Sequence, residues 1–193
     1  MERPSSSKPN AAKLLTRRGW FLVSLFAASC ERPLPNAADN GTGPVVTIAL
    51  FSDKCQLLGT VQPRKIVKSL DEWRKQLSPE PFAITRKGAT EFAFQNLYWN
   101  NHKQGIYRCV CCGNAAFCSK EKFDSDTGWP SFTAPIAPEN VTMRPDHSMG
   151  LERTEVLCAK CDSHLGHVFD DGPAPTHKRY CLNSGALRFI ALV

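Results

Sequence analysis

The sequence predicts a mainly β fold of the α+β class, with short N-terminal helices that lead into an antiparallel β core of two packed sheets. Two helix starts lie between residues 69 and 80. From residue 106 onward, short β-rich runs alternate with clusters of Gly, Pro, Asp and Asn. Two Cys-x-x-Cys pairs, separated by 45 residues, are typical of a metal site that holds distant parts of a chain together.

The helices are predicted from their start and stop signals. Residues 69–72 read Ser-Leu-Asp-Glu, a capping box in which the serine hydroxyl and the glutamate side chain satisfy each other's backbone amides. A helix of about two turns should follow. Ser78 and Pro79 indicate a second start, with proline at the first helical position, and Gly88 is its predicted end.

The strands are predicted from β-rich runs between turn residues. They are residues 106–110, 141–144, 154–157, 167–169, 179–182 and 187–192. A further β-prone run at 45–50 has no assigned place in these sheets, and no internal repeat is visible.

Length and charge restrict the function classes. The 193 residues, 42% apolar and 22% charged, suit one domain with a tail. The net charge is +6, of which residues 1–29 contribute +4, so the body is nearly balanced and has no Lys/Arg run. We therefore expect no nucleic-acid partner, and we expect a monomer.

The first 30 residues have the layout of a bacterial export signal. Arg17 and Arg18 precede an apolar run over 19–29, which is shorter than the about 20 residues of a membrane-spanning helix. The arginine pair resembles a twin-arginine motif, and residues 27–30, ending at Cys30, resemble a lipobox without the usual Leu. We expect an exported protein, periplasmic or lipid-anchored to the membrane. If the tail is not a signal, the protein is cytoplasmic.

Three parts are therefore predicted: an export signal at 1–30, a linker and N-terminal extension at 31–66, and the main domain at 67–193.

Four cysteines are predicted to bind one structural zinc ion. They are Cys109, Cys112, Cys158 and Cys161. Four thiolates at about 2.3 Å complete a tetrahedral zinc site and leave no open position for catalysis. Cys111 permits another register, but the pair 109 with 112 matches 158 with 161 and is followed by Gly113. A pair of disulfides or a redox Cys-x-x-Cys are the alternatives.

Three further motifs follow in a fixed order around these pairs. They are Gly-Trp-Pro-Ser-Phe within 123–132, His-Leu-Gly-His-Val-Phe within 164–172, and Arg-Tyr-Cys-Leu-Asn-Ser at 179–184. Together with the cysteine pairs and the segments 70–73 and 105–109, they closely resemble the methionine sulfoxide reductase B family over about residues 68–190.

The resemblance implies roles for five residues. Cys181 is the nucleophile that attacks the sulfoxide sulfur, and Trp129, His164, His167 and Asn183 line its pocket. Such imidazole and amide groups can hold or activate a thiol, and His167 can protonate the sulfoxide oxygen with help from His164. The indole suits the sulfur-bound methyl group. The family further implies the R epimer of methionine sulfoxide, in peptides or proteins, as substrate and a sulfenic acid on Cys181 as intermediate.

Thr127 departs from the family, because many members have there a cysteine that attacks the sulfenic acid. Another cysteine of this chain, an external thiol such as thioredoxin, or a dedicated partner must take that role. Cys118 is the first candidate, with Cys111 and Cys55 as others; Cys30 is excluded if it is cleaved or lipidated. We predict that Cys118→Ser keeps its first turnover and loses thioredoxin-driven cycling.

Simpler interpretations stay open for the residues taken singly. Trp129 can fill the core, the histidines can make structural hydrogen bonds, and a lone buried cysteine such as Cys181 is commonly a small hydrophobe. Two rival functions remain: a non-catalytic zinc-ribbon binding module, and a thiol peroxidase or disulfide reductase. No phosphate-binding glycine loop is visible, so thiols must supply the reducing power.

Overall fold

The computed structural model describes residues 41–192. The predicted export signal, with Arg17, Arg18 and Cys30, lies outside the described residues. Across residues 41–192, every helix is too short or too polar to cross a membrane.

The helices begin and end where the sequence predicts. Helix α1 (Leu70–Gln76) is preceded by Ser69, whose side chain accepts from the Glu72 amide while Glu72 accepts from the Ser69 amide. Helix α2 (Pro79–Lys87) begins at its proline and ends at Gly88, which adopts a left-handed conformation with φ of 68°. Trp73 of α1 is buried, with the Arg86 guanidinium 3.8 Å from its ring centroid.

Eleven strands and four single-turn 3-10 helices account for the rest of the regular structure in the described residues; the strands position the site. They are β1 (Ile48–Phe51), β2 (Leu57–Val61), β3 (Gly105–Cys109), β4 (Ala115–Cys118), β5 (Lys122–Phe123), β6 (Ser131–Phe132), β7 (Val141–Asp146), β8 (Arg153–Cys158), β9 (His164–Phe169), β10 (Arg179–Leu182) and β11 (Leu187–Ala191).

Three antiparallel sheets contain these strands. The larger two are a six-stranded sheet in the order β5-β6-β10-β9-β8-β7 and a three-stranded sheet in the order β11-β3-β4. The third is the β1-β2 hairpin. The predicted mainly β, antiparallel fold class is confirmed, whereas β2, β4, β5 and β6 were not predicted.

An aromatic core joins the two larger sheets. Tyr107 of β3 and Phe117 of β4 lie 5.0 Å and 4.8 Å, respectively, from Phe132 of β6, measured between ring centroids. All three side chains are fully buried. Because β6 is a neighbour of β10, this core fixes the strand that carries Cys181.

The β1-β2 hairpin packs against the main domain. The Asn140 side chain accepts from the Ala49 amide and donates to the carbonyls of Ala49 and Ala115, each at 2.8 Å. A disulfide joins Cys55 to Cys118 of β4, with a Cα–Cα distance of 6.3 Å. The described part of the predicted extension is therefore folded onto the body, and this places the β-prone run at 45–50.

Candidate active site and metal centre

The four predicted zinc ligands form one cluster. The sulfurs of Cys109, Cys112, Cys158 and Cys161 all lie within 4.8 Å of one another. The first cysteine of each pair is the last residue of a strand. The turns that follow are closed by hydrogen bonds of 2.9 Å from the amides of Gly113 and Asp162 to the carbonyls of Cys109 and Cys158. Four thiols in this arrangement are compatible with a tetrahedral metal site.

Two neighbours complete the surroundings of the cluster. Arg86 donates to the Cys161 carbonyl at 2.8 Å and contacts the Cys161 sulfur at 3.5 Å, so its charge lies beside the thiols. Cys111 lies next to the cluster and contacts Ser163 Oγ at 3.5 Å, but it is not one of the four.

Cys181 lies in a separate pocket of about 150 Å³. It occupies the middle of β10, opposite His167 of β9 on one side and Ser131 of β6 on the other. The structure brings Trp129, His167 and Asn183 into the lining of this pocket. Thr90, Arg153, Gly166, Phe169 and Leu182 complete the lining.

His164 does not line the pocket but is buried behind it, 5.3 Å from the His167 ring. Residues three apart on a regular strand point to opposite faces. Here the pairing of β8 with β9 shifts register, because Val156 faces Gly166 and Leu157 faces His164, leaving Leu165 as an extra residue. This bulge turns both imidazoles to the same side of the strand.

A carboxylate orients each histidine. His167 Nε2 lies 2.7 Å from Asp146, which also accepts from Arg153 at 2.8 Å. Hydrogen bonds from Ser148, then from His167, hold the pKa of Asp146 well below its usual range. The carboxylate is therefore ionised at neutral pH, and His167 donates to it.

The second pair is His164 Nδ1 with Glu155, at 2.7 Å. Burial lowers the pKa of His164, with Glu155 acting in the opposite direction. The imidazole is therefore neutral at pH 7, and Nδ1 donates to the carboxylate. Nε2 is buried and has no hydrogen-bond partner among the described residues. It is a free acceptor close to His167.

Opposing effects act on the Cys181 thiol. Its pKa is raised, mainly by burial, and the charge of Arg179 and hydrogen bonds from Thr127 and Arg179 only partly oppose this. Arg179 is held by two bonds of 2.8 Å to Asp171 and stacks 4.6 Å from the Phe169 ring. Its charge therefore favours the thiolate form that attacks a sulfoxide.

Three residues near the site were not predicted from the sequence: Arg179, Asp146 and Glu155. Arg179 could have been found, because it lies two residues before Cys181 on the same strand and so shares its face.

Two other side chains of the pocket, those of Trp129 and Asn183, are held by hydrogen bonds to the backbone of Glu91. Trp129 Nε1 donates to the Glu91 carbonyl at 3.1 Å, which fixes the indole plane. Asn183 Oδ1 accepts from the Glu91 amide at 3.2 Å. One short loop therefore holds both side chains.

None of the candidate resolving cysteines within residues 41–192 lines the pocket. Cys118 is bonded to Cys55, and Cys111 lies beside the metal cluster. At the position of the missing cysteine, Thr127 contacts Ser125 Oγ at 2.9 Å, which in turn contacts Ser131 Oγ at 2.7 Å. The resolving role of Cys118 stays a prediction.

Comparisons with known proteins identify the family of the chain. The SelR domain model matches residues 77–191. The peptide methionine sulfoxide reductase MsrB of Synechococcus sp. (strain RCC307) is 56% identical over 121 residues, which are 63% of this chain and 89% of that protein.

Two further relatives have related names. The MsrB of Herminiimonas arsenicoxydans is 51% identical over 127 residues, 66% of this chain and 93% of that protein. The chloroplastic peptide methionine sulfoxide reductase B1 of Arabidopsis thaliana is 55% identical over 125 residues, 64% of this chain and 61% of that protein. With its cysteine cluster and its Cys181 pocket, the chain belongs to the methionine sulfoxide reductase B family.

Proposed function

We propose that this protein is an enzyme that reduces the R epimer of methionine sulfoxide in peptides and proteins to methionine, for repair of oxidised proteins. The observation that carries the proposal is the pocket in which Cys181 faces Trp129, His167 and Asn183, in a chain of this family. The indole accepts the sulfur-bound methyl group, and the imidazole lies where a developing oxyanion needs a proton.

The reaction follows from these positions. The Cys181 thiolate attacks the sulfoxide sulfur while a protonated His167, whose Nε2–H is held by Asp146, donates the proton on its other ring nitrogen to the oxygen. The S–O bond of the substrate breaks and the oxygen passes to Cys181, which becomes a sulfenic acid. The methionine sulfur gains the two electrons that Cys181 loses.

External thiols return Cys181 to its reduced state in this proposal. A first thiol attacks the sulfenic acid, releasing water and leaving a mixed disulfide, and a second thiol completes the reduction. The placement of Cys118, Cys111 and Cys55 outside the pocket supports this route over internal resolution. A thioredoxin-like protein or a small thiol is the partner class.

We further propose that the cysteine cluster holds one zinc ion with a structural role. Four thiolates are the donor set that zinc favours, and a closed set leaves no site for substrate. The enzyme acts as a monomer.

The proposed location is outside the cytoplasm, reached through the N-terminal signal and with or without a lipid on Cys30. The Cys55–Cys118 disulfide supports it, because disulfides persist mainly in oxidising compartments.

The deciding experiment measures turnover of separate R and S epimers of a methionine sulfoxide peptide with dithiothreitol, by wild type and Cys181→Ser. We expect reduction of R alone, lost in the variant, with unchanged thermal unfolding. No reduction of either epimer by folded, zinc-bound protein would favour a zinc-ribbon binding module. Faster turnover of peroxides or disulfides than of the R epimer would favour the other rival.

A further inference from the structure

The loop between α2 and β3 displays large apolar side chains to solvent. Phe92 and Leu97 are 79% exposed and Phe94 is 54% exposed. Single exposed apolar residues are ordinary, but a contiguous group beside a pocket marks a contact surface. These three residues are named here the apolar loop patch.

The backbone beneath the patch is fixed. The Phe94 amide donates to the Gly128 carbonyl at 2.9 Å, and Asn96 Nδ2 donates to the carbonyls of Phe92 and Gly128 at 3.1 and 2.7 Å. Phe94 has a φ of 61°, a region that bulky side chains rarely adopt. The surrounding bonds maintain this strained conformation, so the outward display belongs to the folded state.

The patch is continuous with the Cys181 pocket. Thr90, two residues before Phe92, lines the pocket, and the Glu91 carbonyl accepts from Trp129 Nε1. Phe94 lies against the backbone next to Trp129, since a Cβ placed at Gly128 would be 2.7 Å from its ring. A chain whose side chain enters the pocket must therefore place its neighbours near this patch.

A groove next to the pocket is polar. This groove of about 380 Å³ shares Arg153 and Phe169 with the pocket. Its other polar lining includes His147, Glu152 and Asp170. The surroundings of the pocket thus include both an apolar and a charged surface, and a small isolated substrate is too short to contact them.

We propose that the apolar loop patch binds large apolar residues that flank methionine sulfoxide on one side in the substrate polypeptide. This inference rests on the proposed function and names the sequence context that the enzyme prefers. The affinity comes from burial of apolar surface on both the enzyme and the substrate. Because the loop is already fixed, it loses little conformational entropy on binding.

The test compares three R-sulfoxide substrates with dithiothreitol as reductant: N-acetyl-methionine sulfoxide methylamide, a peptide with Phe and Leu beside the sulfoxide, and the same peptide with Ser and Gly there. In each peptide the two flanking residues are placed first on the N-terminal side of the sulfoxide residue and then, in a second peptide, on its C-terminal side. The proteins are wild type, Phe92→Ser/Leu97→Ser, and a control, Leu57→Ser, altered at a 62% exposed position in the hairpin.

We expect wild type and Leu57→Ser to favour the apolar peptide in kcat/KM by roughly tenfold in one orientation. The double variant should lose that preference and keep its kcat/KM on the small amide. Equal values for the two peptides in wild type, or an unchanged preference in the double variant, would overturn the proposal.

Two other results would also overturn it. If the double variant keeps the peptide preference and loses only thioredoxin-driven turnover, the patch contacts the reductant. If it loses only a concentration-dependent dimer seen in wild type, the patch joins two copies. Failure of wild type to reduce the small amide would instead defeat the proposed function itself.

Discussion

Glu91 and Asn183 hold each other in place across 92 residues of sequence. The Glu91 amide donates to Asn183 Oδ1, and the Glu91 carboxylate accepts from the amides of Ser184 and Gly185, which directly follow Asn183. The loop that orients Trp129 is thereby tied to the end of the strand that carries Cys181.

Glu91→Gln should weaken this connection. Both carboxylate oxygens accept from amides, and glutamine replaces one acceptor with an NH₂ group that faces a donor. We expect a loss of about 1–3 kcal/mol in unfolding free energy, together with a lower kcat. Urea unfolding and peptide turnover check this, with Glu80→Gln, exposed on α2, as the control. Equal losses in both variants would contradict the assigned role of Glu91.

Thr127→Val should make Cys181 less reactive. The Thr127 hydroxyl opposes the effect of burial on the Cys181 thiol, so its removal should raise the thiol pKa further. Because one pKa unit changes the thiolate fraction about tenfold, alkylation by iodoacetamide near pH 8 should slow roughly threefold to tenfold. Thr127→Ser, which keeps the hydroxyl, should react like wild type. A Thr127→Val protein alkylated at the wild-type rate would show that the hydroxyl does not act on the thiol.

His164 should make the fold sensitive to mild acid. Burial lowers its pKa in the folded state, so below about pH 6.5 the unfolded chain binds the proton more readily. Stability is therefore complete above that pH and declines as the pH falls toward the lowered folded pKa. Urea midpoints from pH 7.5 to 5 should decline less in His164→Asn than in wild type or in His102→Asn, an exposed control. Parallel curves for all three would exclude His164 as the cause.

Cys112→Ser should abolish metal binding, whereas Cys111→Ser should not. Cys112 belongs to the four-sulfur cluster and Cys111 does not, although the two are adjacent in sequence. We expect one zinc per chain in wild type and Cys111→Ser. Cys112→Ser should lose the metal and unfold at a lower temperature, since structural zinc contributes strongly to folding. Metal content and the thermal unfolding temperature of each variant test this prediction. Metal loss in Cys111→Ser instead would indicate that Cys111, and not Cys112, is the ligand.

Cys55→Ser and Cys118→Ser should distinguish a structural disulfide from a resolving cysteine. The bonded residues are 63 apart, so loss of the disulfide should cost about 4 kcal/mol without added reductant in either variant. If the disulfide is only structural, both variants keep thioredoxin-driven cycling. Loss of cycling in Cys118→Ser alone would restore Cys118 as the resolving thiol.

Local signals made much of the fold predictable. The capping box at Ser69 and the stop at Gly88 are encoded within a few residues, and the helices follow them. Strand β4 was missed because all four of its side chains are buried, which removes the alternation that indicates a strand. Strands β5 and β6 have two residues each, too few for any periodic signal.

The sequence predicted some residues of the candidate site but not its arrangement. The motifs identified Cys181 and the histidines, yet the shared side of His164 and His167 depends on a bulge that strand periodicity does not show. The partners Asp146 and Glu155 come from strands β7 and β8, so their roles arise only when the sheet brings them beside β9. The Cys55–Cys118 pairing likewise joins segments with no common local pattern.

The disulfide and the four-sulfur cluster place opposite demands on one chain during maturation. If the cluster binds the proposed zinc ion, its thiols must stay reduced until the ion arrives, whereas the Cys55–Cys118 bond needs an oxidant. Loading the ion first withdraws four sulfurs from exchange and leaves few wrong partners for the remaining thiols. Oxidation before loading should yield scrambled isomers. Whether refolding in vitro yields a single species therefore depends on adding the metal ion before the oxidant, rather than on the concentration of either.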